Sequence, residues 1–217
     1  MEVKTIFPGV FSINGRLATK NLVPGQKVYN EKLLHVDGTE YRLWDPFRSK
    51  LAAAIKKGLT HFTFKQGQKV LYLGASTGTT ISHISDIIGD DGEVYAIEIS
   101  PHAMKSLLKL CEKRKNIFPI LGDAGKPESY DDVPAVEAIY QDVSQPDQAD
   151  ILVKNASKFL KKGFACIAIK SQSIDVTKNP KEVFKESLAI LEKHFKIVET
   201  YQLEPFDKDH LFAVLSR

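Results

Sequence analysis

The sequence predicts an α/β protein with a doubly wound, mostly parallel sheet of seven strands, preceded by a small β module. Apolar strand segments alternate with amphipathic helical segments from residue 70 to the end of the chain. The first of these strands runs into a glycine-containing turn and then a helix, as nucleotide-binding sheets begin. Residues 1–44 instead hold short apolar stretches separated by Asn-Gly and Asp-Gly, which are typical hairpin turns.

Length and composition are those of an ordinary folded protein. The 217 residues are 43% hydrophobic and 26% charged. No apolar run approaches the roughly 20 residues that span a bilayer, and the N-terminus lacks a signal-peptide core. We therefore expect a cytoplasmic protein that does not contact a membrane. The two cysteines lie in no metal-binding or redox motif, so neither a disulfide framework nor a metal site is expected.

Charge is unevenly distributed along the chain, although the net charge is only +3. Residues 1–69 contain 12 lysines and arginines against 5 acidic residues, whereas residues 70–217 contain 18 against 22. A basic first third is consistent with binding a polyanion such as RNA. A solvated basic surface explains the same charge equally well.

The first module is predicted to contain five short strands. They cover residues 3–7, 10–13, 17–20, 32–36 and 39–44. Asp45-Pro46 ends this pattern, and a helix over residues 48–58 follows, closing at Gly58. We divide the chain into a β module, residues 1–50, and a main domain, residues 51–217.

The main domain is predicted to alternate strands and helices. The strands cover residues 70–73, 94–99, 117–121, 138–140, 164–169, 196–202 and 210–215. The helices begin near Thr79, with Thr79 or Thr80 as N-cap, and then cover residues 101–115, 148–160 and 181–194. Because the last two strands have no helix between them, we expect the final strand to be antiparallel.

The turn after the first main strand is the candidate ligand site. Gly74 and Gly78 allow the backbone to approach a ligand closely, and the helix start offers unpaired N–H groups. The spacing is Gly-x-x-x-Gly and not the Gly-x-Gly-x-x-Gly of dinucleotide enzymes, which makes a nicotinamide-dependent reductase a weaker alternative. No Walker lysine follows the turn. Glu98 lies 20 residues after Gly78, at a strand end where nucleotide-binding folds place the acid that binds ribose hydroxyls.

Other polar residues follow later strands. Asp123 comes after the third strand and either accepts a hydrogen bond from an adenine amino group or caps a turn. Asp142 follows the fourth strand, at the sheet edge where such folds carry out their chemistry. Lys170 ends an apolar strand, so its ammonium must reach water or a partner. His210 begins the last strand.

Five segments resemble the fibrillarin family: residues 41–55, 70–80, 140–148, 169–175 and 204–212. They occur in the family's order and span nearly the whole chain, and the Gly/Arg-rich tail of eukaryotic members is absent. The chain is thus similar to the archaeal form. The resemblance implies a Rossmann-like class I S-adenosylmethionine-dependent methyltransferase that acts on ribose 2′-hydroxyls of rRNA and tRNA.

The resemblance also implies partners. Members of this family work in box C/D ribonucleoproteins, in which a guide RNA pairs with the target rRNA or tRNA. They dock on a Nop-domain scaffold protein, which associates with an L7Ae-type kink-turn-binding protein. A homodimer through the N-terminal module is left open, and a cytoplasmic location is expected because archaeal cells have no nucleolus.

The family pattern assigns roles to individual residues. The S-adenosyl-L-methionine site would comprise Gly74, Ala75, Thr79, Thr80, Glu98, Ile99, Asp123, Ala124, Asp142, Val143, Ser144 and Gln145. Glu98 would hold the cofactor ribose, with Ile99 and Asp123-Ala124 at the adenine. The catalytic set would be Lys50, Asp142, Lys170 and His210. Lys170 would either accept the hydroxyl proton or position the reacting groups.

The basic residues of the first third are candidates for RNA contacts. Our hypothesis is that RNA phosphates are held by Arg16, Lys20, Arg42, Arg48, Lys56 and Lys57, while pairing with the guide selects the nucleotide. A non-catalytic ribonucleoprotein subunit that keeps the fold as a docking platform is the remaining alternative.

Overall fold

The computed structural model describes residues 2–217, so Met1, the first residue of the predicted β module, lies outside the described part. These residues form a five-stranded and a seven-stranded sheet. The strands of the first sheet are β1 (Val3–Phe7), β2 (Val10–Ile13), β3 (Arg16–Lys20), β4 (Leu33–Val36) and β5 (Thr39–Leu43). All neighbours are antiparallel, in the order β1-β2-β3-β5-β4.

Two hairpins of this sheet have the turns that the sequence predicted. Asn14 and Gly15 have φ angles of 48° and 78°, and Asp37 and Gly38 have φ angles of 48° and 76°. Positive φ at both central residues is the type I′ geometry, which matches the twist of the flanking strands.

The second sheet confirms the predicted mostly parallel architecture. Its strands are β6 (Lys69–Leu73), β7 (Glu93–Glu98), β8 (Ile117–Leu121), β9 (Ala138–Gln141), β10 (Phe164–Lys170), β11 (Lys196–Gln202) and β12 (His210–Ser216). The order is β11-β12-β10-β9-β6-β7-β8. Within residues 2–217, β12 is the strand of this sheet that runs antiparallel to its neighbours, as expected for the final strand.

Helices cover both faces of this sheet. They are α1 (Lys50–Lys56), α2 (Thr79–Ile88), α3 (Pro101–Cys111), α4 (Gln148–Phe159), α5 (Ser171–Ile174) and α6 (Pro180–Leu191), with a 3-10 helix over Pro127–Tyr130. Val70 and Tyr72 pack with α1, α2 and α3, whereas Leu71 and Leu73 pack with α4 and α6. Burial on both faces explains why β6 is a continuous apolar run. No helix in the described part of the chain is long and apolar enough to cross a membrane.

Several predicted helix bounds are wrong at their ends. Helix α3 stops at Cys111 rather than residue 115, and the Arg114 side chain turns inward and is 1% exposed. Helix α6 begins at Pro180, because the side chain of Asn179 accepts a hydrogen bond from the backbone N–H of Lys181. The short helix α5 and the 3-10 helix were not predicted, since four residues carry no recognisable periodicity.

A buried ionic cluster joins β5 of the first sheet to helix α2, which packs on the second sheet. Its geometry shows that the hypothesis for Arg42 is wrong. This side chain is fully buried, with Nε 2.6 Å from Glu31 and Nη1 2.9 Å from Asp86 of α2. Asp86 also binds Nη1 of Arg114 at 2.6 Å. Arg42 therefore cannot contact RNA phosphates in this fold. The other five cations of that hypothesis, Arg16, Lys20, Arg48, Lys56 and Lys57, are exposed.

Candidate active site

The backbone turns sharply between β6 and α2. Gly74 has a φ of +83°, and a Cβ there would lie 2.8 Å from the carbonyl oxygen of Asp142. Gly78 has a φ of +102°, and a Cβ would lie 2.5 Å from Cδ2 of Leu110. Both positions therefore require glycine. The predicted threonine N-cap is wrong, because Gly78 is the N-cap and Thr79 begins the helix.

Glu98 ends β7, and its carboxylate is held by the backbone. Oε2 accepts a hydrogen bond from the N–H of Ser76 at 2.6 Å, and Oε1 accepts one from Ser100 at 2.7 Å. Each oxygen keeps a further lone pair for a ligand hydroxyl. Although Glu98 is only 6% exposed, it lines a cavity. An acid held in this way can bind the hydroxyls of a ribose.

This cavity, of about 440 Å³, lies at the carboxyl ends of the parallel strands β6, β7, β8 and β9. Its volume is within the range of small-molecule sites. Ten of the predicted residues line it: Lys50, Gly74, Glu98, Ile99, Ala124, Asp142, Val143, Ser144, Gln145 and Lys170. Ser76, Ile97 and Gly122 line it without having been predicted. Ser76 and Gly122 were recognisable as turn residues after strands, whereas nothing distinguished Ile97 from a core residue.

An apolar and a polar group lie where an adenine was expected. Ile99 is 58% exposed and presents an apolar surface at the edge of the cavity. Asp123 does not line the cavity itself, but its Oδ1 accepts hydrogen bonds from the N–H of Gly125 at 2.9 Å and Nε2 of Gln145 at 3.0 Å. The hydrogen bond from Gly125, and to a smaller extent that from Gln145, holds the pKa of Asp123 below its usual value.

Besides Asp123, three predicted cofactor residues do not line the cavity. Ala75 is 3% exposed. Thr80 donates a hydrogen bond to Oγ of Ser49 at 3.0 Å. Since Ser49 is the N-cap of α1, Thr80 supports the helix whose first residue is Lys50. Thr79 lines a separate cavity between α3 and the N-terminal module.

Asp142 joins two lysines at one end of the cavity. Nζ of Lys170 is 2.8 Å from Oδ1, and Nζ of Lys50 is 3.2 Å from Oδ2. Lys170 also donates to the carbonyl oxygen of Asp142 at 3.0 Å and to Oγ of Ser144 at 2.9 Å. These two hydrogen bonds use two of the three ammonium hydrogens, and the contact with Oδ1 is an ion pair that lacks hydrogen-bond geometry. The cluster is thus an ordered set of charges and not a group of solvated side chains.

Strand register explains how these side chains meet. Ile167 of β10 is paired with Gln141 of β9, so Lys170 extends past the end of β9, beside the loop that begins with Asp142. On its other side, β10 pairs with β12, and Lys170 lies opposite His210. Lys50 comes from outside the sheet, at the first residue of α1.

Lys50 lies between two carboxylates. Besides Asp142, Oδ2 of Asp207 is 3.5 Å from its Nζ. Burial alone lowers the pKa of Lys50, but the charges of Asp142 and Asp207 outweigh burial and raise this pKa above its ordinary value. Lys50 is therefore protonated at neutral pH.

His210 reaches the cluster through Asp207. Its Nδ1 is 3.0 Å from Oδ1 of Asp207 and 2.6 Å from the carbonyl oxygen of Lys208. His210 lines a neighbouring cavity rather than the one beside Glu98. Asp207 was not predicted. Its single sequence signal was its place in segment 204–212, three residues before His210.

Comparison with known proteins identifies this arrangement. The fibrillarin family model matches residues 1–217. The fibrillarin-like rRNA/tRNA 2′-O-methyltransferase of Methanocaldococcus jannaschii is 53% identical over 222 residues, which cover 99% of this chain and 96% of that protein. The nicotinamide-dependent reductase considered from the glycine spacing is thereby set aside.

Two solved structures are similar over the full length. Aeropyrum pernix fibrillarin, in complex with natively bound S-adenosyl-L-methionine, is 46% identical with a TM-score of 0.89, and the match covers 99% of each chain. A chain of a fibrillarin/Nop5p complex is 44% identical with a TM-score of 0.91, covering 99% of this chain and 100% of that one. With the family pattern matched from end to end and the same fold, the chain belongs to the fibrillarin family.

Proposed function

We propose that this protein is an S-adenosylmethionine-dependent RNA methyltransferase that modifies ribose 2′-hydroxyls of rRNA and tRNA. The observation that carries the proposal is the ion-paired cluster of Lys50, Asp142 and Lys170 at one end of a cavity that also contains Glu98. The name of the Methanocaldococcus jannaschii relative supports the same activity.

The cavity fits S-adenosylmethionine. Gly74 lets the turn lie directly against the backbone of Asp142 at the cavity wall, and the backbone-held carboxylate of Glu98 can accept hydrogen bonds from the ribose hydroxyls. The exposed side chain of Ile99 offers an apolar surface to the adenine. Asp123 is assigned to this site because its hydrogen bond orients Gln145. Ala124, Val143 and Ser144 are assigned to it because they line the cavity. Ala75, Thr79 and Thr80 are assigned supporting positions around the turn.

When bound, the cofactor supplies an electrophilic methyl group on a sulfonium. A ribose hydroxyl is a weak nucleophile; as it accepts the methyl group it would release its proton to water, and the donor would be left as a neutral thioether. We assign Asp142 the role of orienting this hydroxyl beside the cationic donor. The Lys170 ammonium is ion-paired with Asp142 and donates two hydrogen bonds, which favours positioning of Asp142 over proton removal. Of the two roles considered for Lys170, this one rests on alignment of the hydroxyl with the methyl group, and it does not require an unprotonated lysine.

Partners follow from the family. The similar chain in the fibrillarin/Nop5p complex supports a Nop-domain scaffold as a partner. We infer that the scaffold brings an L7Ae-type protein and a box C/D guide RNA, which pairs with the target. The five exposed cations, Arg16, Lys20, Arg48, Lys56 and Lys57, are assigned to RNA phosphates. In this reading, base pairing chooses the nucleotide, and this chain supplies the chemistry.

Three further expectations belong to the same proposal. We keep residues 1–50 as a β module and 51–217 as the methyltransferase domain, although α1 begins at Lys50. A homodimer through the β module stays a prediction, which light scattering of the isolated protein tests. The archaeal source of the relatives supports a cytoplasmic location in an archaeal cell.

The decisive experiment is transfer of a radiolabelled methyl group to a guide-matched RNA by the reconstituted particle. We expect one methyl group at the guided nucleotide and none on a target with 2′-deoxyribose at that nucleotide. Equal labelling of both targets would refute ribose methylation. Absence of labelling in both, with S-adenosylmethionine bound and the particle assembled, would favour the non-catalytic subunit.

A further inference from the structure

Asp207 lies between two residues of the proposed catalytic set that do not touch each other. One oxygen, Oδ2, is 3.5 Å from Nζ of Lys50, and the other, Oδ1, is 3.0 Å from Nδ1 of His210. The family pattern assigned a role to Lys50 and His210 but none to Asp207. Among residues 2–217, Asp207 is the single side chain that forms an ion pair with both Lys50 and His210.

The hydrogen bonds of His210 determine which ring nitrogen carries its hydrogen. Nδ1 lies 2.6 Å from the carbonyl oxygen of Lys208, and a carbonyl oxygen can only accept. Nδ1 is therefore the donor to Lys208, and the carboxylate oxygen Oδ1 of Asp207, 3.0 Å away, is a second acceptor beside the same hydrogen. Nε2 has no hydrogen-bond partner within residues 2–217, so in a neutral ring it is the nitrogen that can accept a hydrogen bond.

Asp207 also completes the charge pattern around Asp142. Asp142 is a single carboxylate between two ammonium groups, Lys50 and Lys170. Without Asp207, the Lys50 ammonium would have Asp142 as its sole carboxylate partner among the described residues. The contacts form one continuous series from Lys170 through Asp142, Lys50 and Asp207 to His210.

Neighbouring charges keep Asp207 ionised despite its partial burial. Its side chain is 35% exposed, so it is partly shielded from water. Burial alone raises the pKa of Asp207, but His210 and Lys50 outweigh burial and hold it below the ordinary value. The next acid, Asp209, makes no side-chain hydrogen bond or ion pair within residues 2–217. It is thus a matched control in the same loop.

We propose that Asp207 is a positioning residue for methyl transfer, which holds the Lys50 ammonium against Asp142 and, together with the carbonyl oxygen of Lys208, keeps His210 in the tautomer whose Nε2 can accept a hydrogen bond. This rests on the proposed function for its link to catalysis, but the tautomer of His210 can be measured without any activity. Asp207 touches neither cofactor nor RNA in this role.

The first test is the ¹⁵N spectrum of the histidines in the unaltered protein, with His210→Gln used to assign the His210 signals among the six histidines. We expect the Nδ1–H tautomer for His210. An Nε2–H tautomer would overturn the proposal. Asp207→Asn should shift His210 toward a mixture of tautomers, because an amide oxygen is a weaker acceptor than a carboxylate.

The second test is single-turnover methyl transfer by the reconstituted particle. Asp207→Asn should lower the rate about 10- to 100-fold, the size expected from misplacing reacting groups. The dissociation constant of S-adenosylmethionine, measured by calorimetry, should change less than about threefold, since Asp207 does not line that cavity. Asp207→Glu, which restores the charge, should recover part of the rate, and Asp209→Asn should leave it unchanged.

The outcomes separate this proposal from the proposed function. An unchanged rate and an unchanged His210 spectrum in Asp207→Asn would refute the positioning role. Equal rate losses in Asp207→Asn and Asp209→Asn would also refute it, because general loss of negative charge would then be the cause. If the unaltered particle transfers no methyl group, the proposed function fails, while the His210 spectrum still decides whether Asp207 sets the tautomer.

Discussion

Asp142 and Lys170 are 28 residues apart in the chain, and Nζ of Lys170 lies 2.8 Å from Oδ1 of Asp142. They meet because β9 and β10 are adjacent and parallel, so that both strands end at the same edge of the sheet. Neither side chain is more than 17% exposed. The pair therefore places a well-defined charge at the rim of the cavity, where alignment of a nucleophile matters most.

Replacing Lys170 by methionine, which has a similar length and no charge, should separate chemistry from binding. We expect methyl transfer by the reconstituted particle to fall at least about 100-fold, because Asp142 loses the ammonium that orients it. The affinity for S-adenosylmethionine, measured by calorimetry, should change little. Lys162→Met, at an exposed position outside the site, is the control. Normal activity of Lys170→Met would exclude Lys170 from the catalytic set.

Glu98→Gln should weaken cofactor binding. The charged carboxylate accepts two backbone hydrogen bonds, and by our proposal also the ribose hydroxyls. Hydrogen bonds to a charged group contribute about 1.5–3 kcal/mol, so the dissociation constant should rise about 10- to 150-fold in calorimetry. Glu93→Gln, at the opposite end of β7, should leave the dissociation constant unchanged. Equal effects of both changes would indicate general damage to the strand.

Arg48→Gln tests the RNA surface. Arg48 is exposed and its guanidinium lies 5.1 Å from the ring centre of Tyr29. Loss of one phosphate contact should weaken RNA binding at all sequences and reduce the slope of log affinity against log salt by about 1. Filter binding of guide–target RNA to the particle at several salt concentrations measures this slope. Lys193→Gln, on the C-terminal side of α6, should leave this slope unchanged. If Arg48→Gln has the same slope as the unaltered protein, Arg48 does not belong to the RNA-binding surface.

Asp86→Ala should strongly destabilise the protein. The Asp86 side chain is fully buried and neutralises Arg42 at 2.9 Å and Arg114 at 2.6 Å. Removing one member of such a cluster leaves buried charges without compensation, at a cost of about 3–5 kcal/mol. Urea denaturation measures the loss in unfolding free energy. Asp90→Ala, at an exposed position just after α2, should cost less than about 0.5 kcal/mol, and a similar loss in both variants would contradict the role of the cluster.

His83 should make stability depend on pH. Burial, aided by the charges of Arg42 and Arg114, lowers the pKa of His83 well below its usual value. Its Nδ1 contacts the hydroxyl of Thr19 at 2.8 Å and its Nε2 contacts the hydroxyl of Tyr29 at 2.7 Å, so both ring nitrogens have partners inside the protein. The unfolded chain binds a proton at this residue below about pH 6.5, and the folded protein does not.

The unfolding free energy should consequently fall as the pH drops below 6.5, by up to about 1.4 kcal/mol per pH unit from His83 alone. Urea titrations between pH 5 and 7 measure this slope. His83→Gln should be less stable at neutral pH but have a shallower slope. Equal slopes in both proteins would show that His83 binds a proton in the folded state.

Local patterns in the sequence were sufficient to predict the two sheets. Asn14-Gly15 and Asp37-Gly38 encode their hairpins because few other residues tolerate positive φ at both turn positions. The alternation of strands and helices after residue 70 predicted the parallel sheet and its antiparallel last strand. The strand ends that carry Glu98, Asp142 and Lys170 could be located in the same way, since these residues follow directly on apolar runs.

Only the tertiary structure decided how distant charges are paired. Arg42 and Lys50 are both basic residues in the segment before and at the start of α1, yet the Arg42 side chain is buried between two acids and Lys50 lies at the rim of the cavity. Asp207 likewise had no signal that set it apart from Asp209. Periodicity determines which residues share an element, because it depends on the backbone repeat. Ion pairing depends on which elements pack together and how much water they exclude, and no local repeat records that.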